Sequence, residues 1–381
     1  MIIFALIIFL IVLSLLVFIH ELGHFTLAKK FGVKVDEFGM GIPPRAWAKK
    51  VGETIYSLNW LPIGGFVKIK GEDFSDYDPK DKTNFMNKKP WQKGLILLAG
   101  IIMNAAFAVL LFYFVLGLNG WKSQPILLMD KNFKFPFAKV VETPNIVTFV
   151  GDKSPAENAG IKFGDQIASV SYNGESFYPK NIDELKGFLE DKENVPVDVS
   201  VKNINTGEES ILAVTPEFSE QAHQPALGVG LDSSLQLDYT STSDKIFAGF
   251  EHSVNIMVYS FSMLKNMIST AVETGDSSQV AQGVSGPVGI FAVFQAVLTD
   301  GGSRTFLALL DLTALLSISL AVMNLLPFPA LDGGRLVFVI YEWVRGKPFP
   351  QKYESMVHQV GFIFLIGLIV LITFKDIRGL F

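Results

Sequence analysis

The chain has 381 residues, 49% hydrophobic and 18% charged, with a net charge of −5 and a mean hydropathy of +0.37. That balance excludes a disordered chain and, with a pI near 5.6, a general nucleic-acid binder, which would show a basic patch or stripe. Cysteine is absent, so any metal must rest on His, Asp or Glu, and the composition left standing is that of a membrane protein with a water-exposed part.

Ile2 to Ile19 is an uncharged run of 18 residues. At 1.5 Å per residue it reaches about 27 Å, enough to cross a bilayer core. It lacks the basic n-region and small-residue cleavage site of a signal peptide. The run ends in FIHELGHF, with His20, Glu21 and His24. Positions i and i+4 share a helix face, so both imidazoles can reach one metal with Glu21 beside it. Chance would produce this pattern roughly 0.003 times in a chain of this composition, so a bland pair of helix-end histidines is the weaker reading.

The segment 25–93 carries 13 Lys/Arg and 8 Asp/Glu. Leu95–Leu118 is a second uncharged run, inside which Asn104 reads as a helix-packing amide. The segment 121–244 then carries 10 Lys and 19 Asp/Glu. Lys and Arg stay cytoplasmic, so 25–93 is expected inside and 121–244 outside. Within the outer segment, alternation in 195–203 and 209–216 predicts short half-buried strands. Residues 181–191 read as a helix.

Residues 245–272 are apolar at helical spacing but carry Lys245, Glu251, His252 and Lys265. They are expected to lie on the membrane surface rather than cross it. Gly286–Ile290 (GPVGI) is by itself only a turn signal. Thr305–Leu331 is a third apolar run, interrupted at Asp311. Val357–Phe374 is a fourth, opening with His358. The expected fold is therefore a polytopic α-helical membrane protein of about four spans with an inserted outer domain. Its parts are 1–120, 121–244, 245–304 and 305–381.

A catalytic zinc takes three protein ligands and keeps one position open. The best third candidate is Asp332 in NLLPFPALDGGR (324–335), after two prolines and before two glycines. A turn or cap aspartate is the alternative role. Asp311 competes, but lies several turns earlier, towards the outer half of the bilayer. His223, His252 and His358 have no partners at metal spacing and read as non-ligands.

HELGH in the first span, GGFVK (64–68) in the following loop and NLLPFPALDGG in a later span together resemble the site-2 protease family of intramembrane zinc metalloproteases. Within it they are similar to the bacterial regulator-of-sigma-E protease branch. The resemblance implies Zn2+ held by His20, His24 and Asp332, with Glu21 as general base. It implies that Asn324 engages the substrate backbone. It also implies that Gly64, Gly65, Phe66 and Val67 belong to a membrane-dipping hairpin that pairs with unwound substrate. The order of SPAENAG, GD, NG and one helix over about 140–216 resembles a PDZ domain, but TFVGDKSP departs from the usual carboxylate-binding loop. That departure speaks against capture of a C-terminus, and a size filter or gate over the active site stands beside recruitment of substrate by strand addition.

The implied activity is cleavage of single-span membrane proteins, of the anti-sigma-factor and remnant signal-peptide kind, in regulated intramembrane proteolysis. The implied place is the bacterial inner membrane, with the lipid bilayer as partner, no nucleic acid, and the active site near the cytoplasmic side. The rivals are a membrane metal transporter, which has no use for Glu21, and a catalytically inactive PDZ scaffold, against which the intact HExxH speaks.

Overall fold

The computed structural model describes residues 1–72, 78–127, 133–203, 207–220, 223–275, 285–300 and 302–378. It divides into two compact units. One comprises Met1–Phe114, His252–Thr299 and Leu309–Phe381; the other comprises Val115–Glu251 and Asp300–Ala308.

Four described helices are long and apolar enough to cross a membrane: α1 (Ile2–Lys30), α2 (Pro90–Leu118), α7 (Thr305–Leu325) and α9, whose qualifying part is Lys352–Arg378 of Gln351–Arg378. These match the four expected runs. α1 closes on Lys29 and Lys30, cations that complement the carbonyl end of the helix. α2 opens on Pro90, where a missing N–H costs nothing. The third helix stops at Leu325 rather than Leu331, because Pro327 and Pro329 cannot continue the helical hydrogen bonding.

α1 and α2 meet backbone to backbone. A Cβ at Gly23 would stand 2.8 Å from the Gly100 nitrogen, the close approach that small residues permit between membrane helices. Asn104 is buried, and its backbone carbonyl accepts from Ser317 Oγ of α7 at 2.8 Å.

α5 (Thr242–Thr274) covers the surface-helix stretch and is not one of the four candidate spans. The stretch expected as linker contains α6 (Pro287–Asp300); 276–284 within it lie outside the described residues. Asp376 Oδ2 of α9 accepts from the Gly286 and Gly289 N–H groups at 2.8 and 2.9 Å. A Cβ at either glycine would come to 3.0 Å of that oxygen. GPVG is thus the end of a helix capped from another helix.

The 25–93 segment forms β1 (Val35–Val51) and β2 (Thr54–Ile69). Ile55–Leu58 pairs with Trp47–Lys50 on one side and with Glu37–Met40 on the other. Glu37–Met40 in turn pairs with Gly65–Lys68. Two strands therefore fold back into four paired segments, and Gly65–Lys68 is an edge. Among the described residues no other strand pairs with β1 or β2.

The second unit is α+β. Its main sheet holds β3 (Ile126–Leu127), β4 (Lys139–Val150), β5 (Asp165–Tyr172), β6 (Glu175–Phe177), β7 (Val197–Asn203), β8 (Glu209–Val214) and β11 (Val229–Asp238), while β9 (Glu217–Ser219) and β10 (Gln224–Ala226) pair with each other as a separate hairpin. Two short helices, α3 (Pro155–Ala159) and α4 (Ile182–Leu189), complete it. The sheet order is β3-β11-β4-β5-β7-β8, with β6 on β5. Val197, Val199 and Val201 point into the core with Ile167, Leu185 and Leu189, the period-two pattern read from 195–203. Asn181 Oδ1 accepts from the Glu184 N–H at 2.9 Å and caps α4. The sheet runs past Pro216, because β11 pairs along β4 from Val229–Val150 to Asp238–Lys139.

Candidate metal centre

His20 and His24 lie one turn apart on α1 and are both buried. Their Nε2 atoms are 3.1 Å apart. Asp332 Oδ2 is 3.0 Å from His20 Nε2 and 3.3 Å from His24 Nε2. These three residues form the cluster of metal-ligand side chains found among the described residues. Asp311 is not in it. On α7, Asp311 stands about 20 Å of helix rise before Asn324.

The triangle fits a zinc ion. Bonds of about 2.0–2.1 Å in a tetrahedral site place ligand atoms about 3.3 Å apart. Asp332 Oδ2 is buried without a hydrogen-bond partner among the described residues, and a buried acceptor left unpaired is costly. His24 Nδ1 lies 2.8 Å from the Ile96 carbonyl. A carbonyl only accepts, so Nδ1 carries the proton and Nε2 keeps a lone pair for metal.

The local backbone explains how the three meet. A Cβ at Gly100 would stand 2.8 Å from both His20 Cε1 and His24 Cε1, so only glycine lets α2 pass beside the imidazoles. Asp332 is the first residue of α8 (Asp332–Arg345). Leu325 to Leu331 folds tightly, with Phe328 N–H donating to Leu326 O at 2.7 Å. A Cβ on Gly333 would strike the carbonyls of Leu325 and Leu326, and one on Gly334 that of Phe328. The LDGG glycines thus let the carboxylate double back over the end of α7. One turn along α8, Arg335 pairs with Glu72, and Glu342 accepts from Lys93 Nζ at 2.7 Å.

Glu21 stands beside this cluster, and the sheet edge lies against it. A Cβ at Gly65 would be 3.9 Å from both Glu21 Cγ and Val17 Cγ1, and Gly64 also faces Val17. Ser14 Oγ donates to Pro62 O at 2.6 Å, pinning the start of this edge to α1. Phe66 packs its ring over Gly39. Asn324 sits half-buried in the last turn of α7, outside the metal-ligand cluster.

Of the histidines read as non-ligands, His252 is buried with its ring edge-on to Phe112 at 4.7 Å. His358 is different. Its Nδ1 accepts the Ala330 N–H at 2.9 Å, in the turn before Asp332. Spacing could not reveal that role; the signal available was a lone polar ring at the start of an apolar span.

A family profile described as Peptidase family M50 matches residues 8–368. A provisionally named zinc metalloprotease of Clostridium perfringens is 35% identical over 377 residues, covering 99% of this chain and 98% of its own. One from Nostoc is 30% identical, covering 96% of this chain and 93% of its own. One from Staphylococcus aureus is 27% identical, covering 98% of each.

Proposed function

From the premise that the chain belongs to peptidase family M50, the site-2 protease family, we propose that this multi-pass membrane zinc metalloprotease cuts single-span membrane proteins within their spanning segment. The observation that carries the reading is the three-atom ligand triangle of His20, His24 and Asp332, with a carboxylate and an open strand edge beside it.

His20 Nε2, His24 Nε2 and Asp332 Oδ2 would hold the zinc. Bound zinc supplies Lewis acidity and brings the pKa of water towards neutrality. Glu21 takes the proton from water and later passes it to the departing amine nitrogen. A helical substrate shields its own peptide bonds, so it must unwind locally, and exposed backbone in lipid has to find partners. Gly65–Lys68 offers them by strand addition on the side away from Glu37–Met40. The two glycines keep the edge low against Val17 and Glu21. Asn324 supplies an amide to the same backbone.

The substrates of this reading are membrane-bound anti-sigma factors already trimmed on the outside, and remnant signal peptides. The sheet of the second unit is PDZ-like and extracytoplasmic, and it admits substrate by size. The enzyme resides in the bacterial inner membrane and works in regulated intramembrane proteolysis.

The test is a single-span reporter co-reconstituted with the enzyme in liposomes, with products mapped by mass. The reading expects cuts inside the apolar stretch. Cuts confined to the soluble tails, or zinc carried into the vesicles without any cut, would overturn it.

A further inference from the structure

The turn that delivers Asp332 is held by a helix that gives the cluster no ligand. α7 ends at Leu325 and α8 begins at Asp332. Between them Ala330 has φ +77°, a left-handed conformation uncommon for a residue with a Cβ. Such a conformation persists only where its surroundings over-determine it.

α9 does this at two places. His358 Nδ1 accepts the Ala330 N–H at 2.9 Å. A backbone N–H can only donate, so this nitrogen serves through its lone pair. One turn on, Gly361 lies so close that a Cβ would stand 2.7 Å from the Pro329 carbonyl oxygen. Pro329 and Ala330 are thereby gripped from one face of α9. The chain then needs only Leu331, whose N–H donates to Phe328 O at 3.2 Å, to reach the ligand carboxylate.

We propose that His358 is a positioning residue for Asp332. Its acceptor holds Ala330 in the left-handed turn, and that turn sets Asp332 Oδ2 at 3.0 and 3.3 Å from the two imidazoles. The inference rests on the zinc reading of the cluster and adds a residue from the fourth span to it. The ring also packs edge-on to Phe338 at 5.5 Å, so the test has to separate acceptor from bulk.

His358→Asn keeps an acceptor oxygen close to the position of Nδ1, whereas His358→Leu has the same outline without one. Zinc affinity of the full chain in detergent is measured by chelator competition, alongside the melting temperature. The leucine variant is expected to bind zinc roughly 10–100-fold more weakly, as for loss of an outer partner of a ligand. The asparagine variant is expected to stay close to wild type. Ala330→Gly, which removes the cost of the left-handed residue, should shrink the leucine variant's loss. Wild-type affinity in the leucine variant overturns the proposal. So does equal weakening in the asparagine and leucine variants, or a leucine loss untouched by Ala330→Gly. His20→Ala is the control: if it holds zinc as tightly as wild type, the metal-centre reading itself has failed.

Discussion

Glycines at the metal site and glycines in the turns of the sheet unit do different jobs. Around the metal centre, Gly23, Gly100, Gly333 and Gly334 have no room for a Cβ, because backbone or an imidazole already stands there. In the sheet unit, Gly160, Gly174 and Gly207 take left-handed turns with nothing within 4 Å of the missing Cβ. The first region is built by pressing chain segments together until three ligand atoms converge. The second is built by alternation and turns, with its apolar side chains closing on one core. The proposed function puts the chemistry where the backbone is crowded and gives the sheet unit an accessory role.

The largest effects that would break this contrast lie in the ligand triangle. Asp332→Ala should remove bound zinc and reduce reporter cleavage to background, while Asp311→Ala keeps its metal. Zinc content by atomic spectroscopy decides; the reverse pattern would move the site up α7.

Next comes the sheet unit as accessory. Lys139 and Asp238 are paired neighbours in β4 and β11, so excising 140–237 leaves ends that a short linker can join. As a size filter, the deleted unit should release cleavage of substrates that still carry a bulky folded outer domain. Slower cutting of trimmed substrate with no gain on the bulky one would point to recruitment instead.

A smaller effect separates crowded from open glycines. Gly100→Ala should weaken zinc binding, since its Cβ meets both imidazoles. Gly187→Ala, exposed on α4 with nothing within 4 Å, should leave zinc unchanged and raise stability by up to about 1 kcal/mol. Equal effects on metal affinity would erase the contrast.

The smallest concerns the sheet beside the site. Arg45 Nε donates to Glu37 Oε1 at 2.9 Å, and this partner holds the Glu37 carboxyl below its ordinary value. A lowered carboxyl contributes stability that is present above the unfolded value, about 4.3, and is lost as pH falls through the folded one. Thermal unfolding of Arg45→Met should therefore show a shallower fall below about pH 4 than wild type. Identical acid limbs would remove the pair from the account.

The parts legible in the sequence were those with a local period. HELGH announces itself because i and i+4 share a face, and the four spans and the 195–203 strand follow from apolar runs and alternation. Asp332 was legible as a candidate because prolines and glycines around a carboxylate are hard to explain by packing. Contacts between distant segments were not legible. Nothing local says that α2 needs a glycine at 100, that Asp376 caps Gly286 and Gly289, or that His358 takes the Ala330 N–H. The doubling of β1 and β2 into four paired segments, and the closing of β4 by β11, also depend on register across loops. Register carries no signature within any one strand.

The most direct test is Glu21→Gln. The amide cannot accept a proton but leaves the three ligand side chains in place. The variant should retain about one zinc per chain and lose roughly 10²–10⁴-fold in cleavage of a single-span reporter. Cleavage at the wild-type rate with zinc still bound would contradict the account.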